Sequence, residues 1–304
     1  MFRWMGWIAA IGAVVVALHC GVATSCYIPS EGMEDSLWPG DRILVNRWSY
    51  GWRTPLEGWL GYHRLHEQPG RRGEIALFNH PAQTQHSLIS RRDLYIGRLL
   101  GLPGDTLYVD SLYAVQEPAT WDPNLQTLYS YPAEDEAIMD SLLHRLQLSQ
   151  NRLLWGDSIR HVRSFSSYER YLLEQEKSSR VVLTPVRSEG VHLLVVPSRG
   201  SLIKVTPWNI TLLRNTLVIH EHRRAEIVRG ELQVDGVPVS ACRFTQDYYW
   251  MGTNNPVNLS DSRLFGFVPH SHLIGKATHI WFSKTPHTPW MKEIRWARIG
   301  RAVE

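Results

Sequence analysis

The chain has 304 residues, a formal net charge of +3, 43% hydrophobic residues and 20% charged residues. These values are ordinary for a globular protein, and so small a net charge gives no electrostatic sign of nucleic-acid binding. The three cysteines are too few for a disulfide framework, and no His-Glu-x-x-His sequence or Cys-x-x-Cys pair indicates a metal site. We therefore expect a folded protein with no nucleic-acid partner, no metal and no cofactor.

The first predicted element is an apolar membrane segment. Trp7–Val22 carries no charge, and with its neighbours it approaches the roughly 20 residues that cross a bilayer. Arg3 precedes this segment and Glu31 follows it, so the positive-inside rule places the N-terminus in the cytoplasm. A cleaved signal peptide is the alternative interpretation. We predict a cytoplasmic stretch 1–5, a transmembrane anchor 6–24 and an external domain 25–304.

The rest of the sequence predicts a mainly β protein. Short apolar runs separated by glycine, proline and asparagine are typical of antiparallel strands. The predicted strands are Asp41–Val45, Glu74–Phe78, Leu94–Leu100, Leu193–Val196, Leu202–Val205, Leu217–His220, Glu231–Val234, Tyr248–Met251 and Ile274–Phe282. Apolar spacing predicts two helices, Ala133–Leu148 and Ser166–Lys177. The basic segment Trp290–Arg301 is predicted to be a solvated tail rather than an amphipathic surface piece.

Four blocks of the sequence resemble the bacterial type I signal peptidases. In chain order they are Ile28–Asp41 (IPSEGMEDSLWPGD), Arg72–Pro81 (RGEIALFNHP), Tyr95–Asp105 (YIGRLLGLPGD) and Met251–Ala277 (MGTNNPVNLSDSRLFGFVPHSHLIGKA). They span most of residues 26–283, apart from a middle insert at about 110–190. The resemblance implies a mainly β fold, with an antiparallel β core, an inserted α/β cap and one N-terminal transmembrane helix. It also implies a location in the bacterial inner membrane with the bulk of the chain in the periplasm.

The resemblance also implies the positions of a catalytic dyad. The family uses a serine hydroxyl as nucleophile and a neutral lysine amine as general base. In this chain the nucleophile position is Gly32 and the base position is Gly97. The serine on the oxyanion side is retained as Ser30. The resemblance therefore implies that no catalytic dyad is intact, although the charge-stabilising half of the site remains.

The surroundings of the dyad follow the family in part. Asp261 and Arg263 match a retained pair, which we predict to be a structural ion pair. The serine that would orient the lysine falls on Leu259. The implied substrate groove is bordered by Ile28, Pro29 and Met33.

Few other residues could replace the missing dyad. Ser30 and Ser36 are the nearest hydroxyls, but along an extended segment Ser30 would be displaced by roughly 7 Å from the nucleophile position. No lysine precedes Lys177 in the sequence. His80 and His86 could serve as bases only if a loop folded back.

Three functions stay open at this point. The favoured one is an inactive homologue in the signal-peptide processing system, anchored in the lipid bilayer. It would bind signal peptides of preproteins by β-addition or assist an active signal peptidase. The second is an active signal peptidase with an unorthodox nucleophile. The third is a structural membrane protein whose site has decayed.

Overall fold

The protein is built mainly from antiparallel β-strands. The computed structural model describes residues 22–54, 57–116, 124–148, 151–176, 181–186, 190–289 and 293–303. The strands of these ranges are β1 Ala23–Tyr27, β2 Asp41–Asn46, β3 Trp52–Arg53, β4 Arg64–Leu65, β5 Ile75–Asn79, β6 Leu94–Gly101, β7 Thr106–Val109, β8 Gln126–Pro132, β9 Trp155–Gly156, β10 Arg160–Ser166, β11 Thr184–Pro185, β12 His192–Val195, β13 Leu202–Lys204, β14 Ala225–Val228, β15 Glu231–Val234, β16 Val237–Pro238, β17 Ala241–Arg243, β18 Tyr248–Gly252, β19 Val268–Pro269 and β20 Leu273–Ser283. The α-helices are α1 Glu57–Leu60, α2 Glu136–Arg145, α3 Ser167–Gln175, α4 Ile210–His220 and α5 Ser262–Phe265.

The largest sheet carries all four blocks of the resemblance. Its strand order is β1-β2-β20-β5-β6-β18-β19. Strand β2 shows why the sequence forms this sheet, because its residues alternate strictly between buried and exposed along Asp41–Asn46. Ile43 and Val45 of β2 are fully buried in an apolar cluster that also contains Ile28 and Met33. The first block, Ile28–Asp41, therefore packs on the same apolar core as strands β2 and β5.

A second sheet and two helices occupy the middle of the chain, where the resemblance implies an α/β insert. The sheet has the order β11-β8-β10-β9, and α2 and α3 pack on it around a separate core that includes Tyr131, Leu142 and Phe165. Helix α3 begins with a capping box in which Ser166 and Glu169 bond each other's backbone N–H groups. Backbone contacts tie this middle unit to the main sheet, since the Gln126 N–H donates to the Asn254 carbonyl at 3.0 Å.

Most predicted elements are confirmed to within a few residues, but the strand predicted at Leu217–His220 is wrong. Those residues form the last turn of α4, which begins at Ile210. Ile210, Leu213 and Leu217 are buried and follow helical spacing, so packing of this face outweighs the low helix propensity of the β-branched residues around them.

The two ends of the chain bear on the remaining predictions. Most of the predicted anchor 6–24 lies outside the described residues, and its last residues, Ala23 and Thr24, belong to β1. Across the described ranges, no helix has the length and apolarity required to span a membrane. The predicted solvated tail is wrong where the structure describes it. Arg298 is buried and donates to the Asp41 carboxylate at 2.6 Å, so the end of the chain is fastened to β2.

Candidate active site

The segment around Gly32 forms a tight turn a few residues after the end of strand β1. Glu31–Met33 is a short 3-10 helix in which Gly32 and Met33 are buried. The Gly32 carbonyl accepts a hydrogen bond from the Asn255 N–H at 3.1 Å. The Gly32 backbone is not among those with positive φ, so its conformation is open to a residue with a side chain.

The space where a side chain at residue 32 would begin is taken by Asn258. A Cβ on Gly32 would lie 2.8 Å from the Asn258 Nδ2 atom and 3.1 Å from its Cγ atom. The Asn258 backbone is fixed, because its carbonyl accepts from Thr253 Oγ1 at 2.7 Å and from Arg263 Nη2 at 2.6 Å. A serine at residue 32 therefore requires the Asn258 side chain to move.

Gly97 lies in the middle of the sheet. It is on β6, opposite Ala76 of β5, and it is buried. A Cβ there would lie 3.2 Å from the Gly252 carbonyl oxygen, 3.5 Å from Phe78 Cε1 and 3.6 Å from Met251 Cε. Its φ is likewise not positive. A side chain at residue 97 would thus extend from a position bordered mainly by apolar groups, the surroundings that lower the pKa of a lysine amine.

The other predicted site residues divide between core and surface. Ile28 and Met33 are buried in the apolar cluster beneath the turn, whereas Pro29 and Ser30 line an open cavity. The Ser30 side chain is not used to cap the short helix, and it has no hydrogen-bond partner among the described residues. Leu259 is exposed. The groove roles of Ile28, Pro29 and Met33 stay predictions.

A buried arginine of the third block, Arg98, joins all four blocks. Arg98 donates to Ser36 Oγ at 2.8 Å, to the Gly73 carbonyl at 2.7 Å and to Asn254 Oδ1 at 3.2 Å. Asn254 is fully buried and donates in turn to the Glu34 carbonyl at 2.8 Å. The segment that follows Gly32, strand β6 with Gly97, and the second and fourth blocks are therefore held in one hydrogen-bonded network.

Asp261 and Arg263 form the predicted ion pair. Arg263 Nη2 lies 2.7 Å from Asp261 Oδ2, and the Asp261 side chain is 2% exposed. The same carboxylate accepts from the Thr253 N–H and from Thr253 Oγ1, both at 2.9 Å. The pair closes the loop 253–260, which carries Asn258 against Gly32.

The residues considered as substitutes for the dyad are engaged elsewhere or lie away from Ser30's cavity. Ser36 Oγ accepts hydrogen bonds from Arg98, Asn254 and Asn124. His80 packs against Tyr95 and Phe265, with ring centroids 4.8 and 5.1 Å apart, and burial lowers its pKa.

His86, the other candidate base, lies on an exposed turn. Neither His80 nor His86 is among the residues that line the cavity at Ser30.

Two parts of this site escape sequence reasoning. Asn258 and Met251, which border the dyad positions, lie far along the chain from both glycines. Thr253 and Asn254 fall inside the fourth block, but their hydrogen bonds to Asp261 and Glu34 are not readable in the sequence. Only the position of these residues inside the fourth block of the resemblance indicates that they lie near the site.

The four blocks meet in one hydrogen-bonded site, and the nucleophile and base positions that the resemblance implies, Gly32 and Gly97, carry no reactive side chain. Residues 1–154 match the family described as signal peptidase, peptidase S26. The chain belongs to this family, and this membership supports a role in signal-peptide processing.

Relatives named signal peptidase I resemble the chain over most of its length. One from Buchnera aphidicola subsp. Acyrthosiphon pisum is 25% identical over 285 residues, which cover 90% of this chain and 73% of the relative. One from Helicobacter pylori strain J99 is 20% identical and covers 98% of this chain and 91% of the relative. One from Leptolyngbya laminosa is 35% identical but covers only 32% of this chain and 41% of the relative. The similarity thus includes the middle insert as well as the blocks.

Proposed function

We propose that this protein is a membrane-anchored signal peptidase homologue that holds segments of exported proteins without cleaving them. The observation that carries the proposal is glycine at both dyad positions, Gly32 and Gly97, inside a framework that is buried and hydrogen-bonded. Removing the nucleophile or the general base of a serine protease lowers turnover by about a millionfold. A chain with neither a hydroxyl at residue 32 nor an amine at residue 97 has no route to an acyl-enzyme.

An open strand edge supports peptide binding. Strand β18 pairs with β6 only from Arg98 onward, while β5 pairs with β6 from Leu94. In the described residues, Leu94–Gly97 therefore has a neighbouring strand on one side only. An extended peptide can add to such an edge through main-chain hydrogen bonds.

Cleavage and binding assays on the full chain in detergent test this proposal. We expect no processing of a preprotein and measurable binding of a fluorescent signal peptide. Processing that disappears in Ser30→Ala, but persists in the control Ser260→Ala, would establish the active enzyme with an unorthodox nucleophile. Absence of both processing and peptide binding would favour the structural membrane protein with a decayed site.

Restoring the dyad tests whether the framework is intact. We expect the triple variant Gly32→Ser, Gly97→Lys, Asn258→Ala to regain cleavage. The double variant without Asn258→Ala should regain less, because the Asn258 amide lies where the serine Cβ must be placed. The new lysine would begin beside Phe78 and Met251, whose apolar contact favours its neutral form. A triple variant that binds peptide but shows no cleavage would contradict an intact framework.

The proposed anchor is the part of the apolar segment 6–24 that precedes strand β1, with the bulk of the chain in the periplasm. The observations in its favour are the uncharged run Trp7–Val22 and the arginine that precedes it. Extraction of membranes with alkaline carbonate should leave the protein in the pellet, and protease added to spheroplasts should degrade it. Release by carbonate would argue for a cleaved signal peptide.

A further inference from the structure

A cavity of about 600 Å³ lies between the turn at Gly32 and the middle unit of the chain. Pro29, Ser30 and Asn258 line it from the candidate site, and Gln126 and Glu169 line it from the middle unit. Its size is in the range of small-molecule and side-chain pockets.

Carboxylates dominate the charge of this cavity. Its walls hold Glu31, Glu34, Asp35 and Glu169, and the only arginine or lysine among its lining residues is Arg152. Arg152 pairs with Glu31. The other three carboxylates have no ion-pair partner among the described residues. Partial burial raises the pKa of Glu34 and of Glu169, and the nearby Asp35 carboxylate raises both further.

Two amide oxygens on the same wall lack hydrogen-bond partners. Within the described residues, Gln126 Oε1 and Asn151 Oδ1 are the buried side-chain atoms with no partner, and both residues line this cavity. The amide orientations are fixed, since Gln126 Nε2 donates to Asp35 Oδ2 at 3.1 Å and Asn151 Nδ2 donates to the Ser164 carbonyl. Gln126 is only 9% exposed. An unpaired buried acceptor is unfavourable, so a donor on a ligand is the expected partner.

The chemistry of the walls narrows the class of ligand. Carboxylates without an ion-pair partner and amide oxygens without a donor are all acceptors, so they favour a cation that carries several N–H donors. A metal ion fits less well, because the described histidines, cysteines and carboxylates form no group of three that could hold one. An arginine or lysine side chain supplies both the charge and the donors.

We propose that this cavity binds a basic side chain of the polypeptide segment that the protein holds. This inference rests on the proposed function. The bound segment then carries an arginine or a lysine beside the residues that pass Ser30. Glu34, Asp35 and Glu169 provide the charge complement, and Gln126 and Asn151 provide neutral acceptors. The middle unit then contributes directly to the choice of segment.

Matched peptides test this inference on the full chain in detergent. Three fluorescent alanine-serine peptides are compared by anisotropy: one without a basic residue, one with a single arginine, and one with citrulline, its neutral isostere, at the same place. We expect the arginine peptide to bind at least about tenfold more tightly than the citrulline peptide, the scale of one charge-assisted hydrogen bond.

Variants then locate the effect in the cavity. Glu34→Gln with Glu169→Gln should remove most of the preference for arginine. The control, Glu174→Gln with Glu226→Gln, removes two carboxylates that do not line the cavity and should keep the preference. Unfolding temperatures report folding, and a glutamine at residue 169 can still accept the Ser166 N–H bond that caps α3.

The outcomes separate this inference from the proposed function. If all three peptides bind equally, peptide binding stands and the basic-side-chain pocket is overturned. If no peptide binds, the proposed function fails, and titration of arginine amide against citrulline amide by NMR decides the cavity alone. Shifts at Gln126 and Asn151 with arginine amide only would support the pocket, and equal or absent shifts would overturn it.

Discussion

The ion pair of Asp261 and Arg263 should be a main support of the candidate site. The Asp261 side chain is 2% exposed and that of Arg263 is 13% exposed, so the pair is shielded from water. Replacing Asp261 with Asn leaves the Arg263 guanidinium buried without a counter-charge and weakens the bonds from Thr253. Removal of one partner from a buried pair lowers the unfolding free energy by about 3–5 kcal/mol.

A matched surface pair provides the control. Arg223 and Asp235 also form a close contact of 2.6 Å, but their side chains are 51% and 47% exposed. Asp235→Asn should therefore change the unfolding free energy much less than Asp261→Asn does, because water screens an exposed pair. At about 2 °C for each kcal/mol in a chain of this size, Asp261→Asn should lower the melting temperature by about 6–10 °C.

The assay is urea-induced unfolding of the full chain in detergent, followed by tryptophan fluorescence. The double variant Asp261→Asn, Arg263→Gln should lose less than the sum of the single variants, because it leaves no unpaired buried charge. Two results would refute this reasoning: an equally small loss of unfolding free energy in Asp261→Asn and Asp235→Asn, or a loss in the double variant equal to the sum of the single losses. Either would show that the buried pair does not stabilise the loop.

Three further predictions concern stability elsewhere. Arg298→Ala leaves the Asp41 carboxylate, which is fully buried, without its closest cation, so it should lower stability by about 3 kcal/mol and expose the end of the chain to added protease. A protease pattern equal to that of the parent chain would refute the docking. Burial lowers the pKa of His220 to about 3 and of His270 to about 4, below the value of about 6.5 expected in the unfolded chain. The unfolded chain therefore binds more protons, so stability should be full above about pH 6.5 and fall as the pH drops from there towards 4, with a weaker fall in His270→Gln. Equal pH dependence in both proteins would argue against this origin. Ser166→Ala removes the cap of α3 and should lower stability by about 1 kcal/mol, measured against Ser260→Ala.

Local pattern was sufficient to predict the strands and helices whose burial follows it. Strand β2 alternates between buried and exposed residues, and α3 begins at a serine with glutamate three positions later. Both features are readable in the sequence because backbone geometry alone dictates the spacing. The strand predicted in place of the end of α4 failed for the opposite reason, since Val218 and Ile219 favour a strand locally while the tertiary core selects a helix.

The middle unit was harder to predict because much of its interior is polar. Arg163 of β10 is buried and paired with Glu136 and Asp140, so the strand lacks a simple apolar alternation. Strands β8 and β10 consequently gave no recognisable signal. The same limit applies to the candidate site, where the resemblance located Gly32 and Gly97 but could not show that Asn258 borders one of them.

The contact between Asn258 and Gly32 makes a serine–lysine dyad hard to gain one substitution at a time. A serine that arises first at residue 32 meets an occupied space, and a smaller residue at 258 brings no advantage while residue 32 is glycine. A lysine at residue 97 has no hydroxyl to deprotonate until residue 32 is serine. A serine–lysine dyad would therefore need changes at residues 32 and 97 together, so selection for cleavage would have no single-step intermediate to favour.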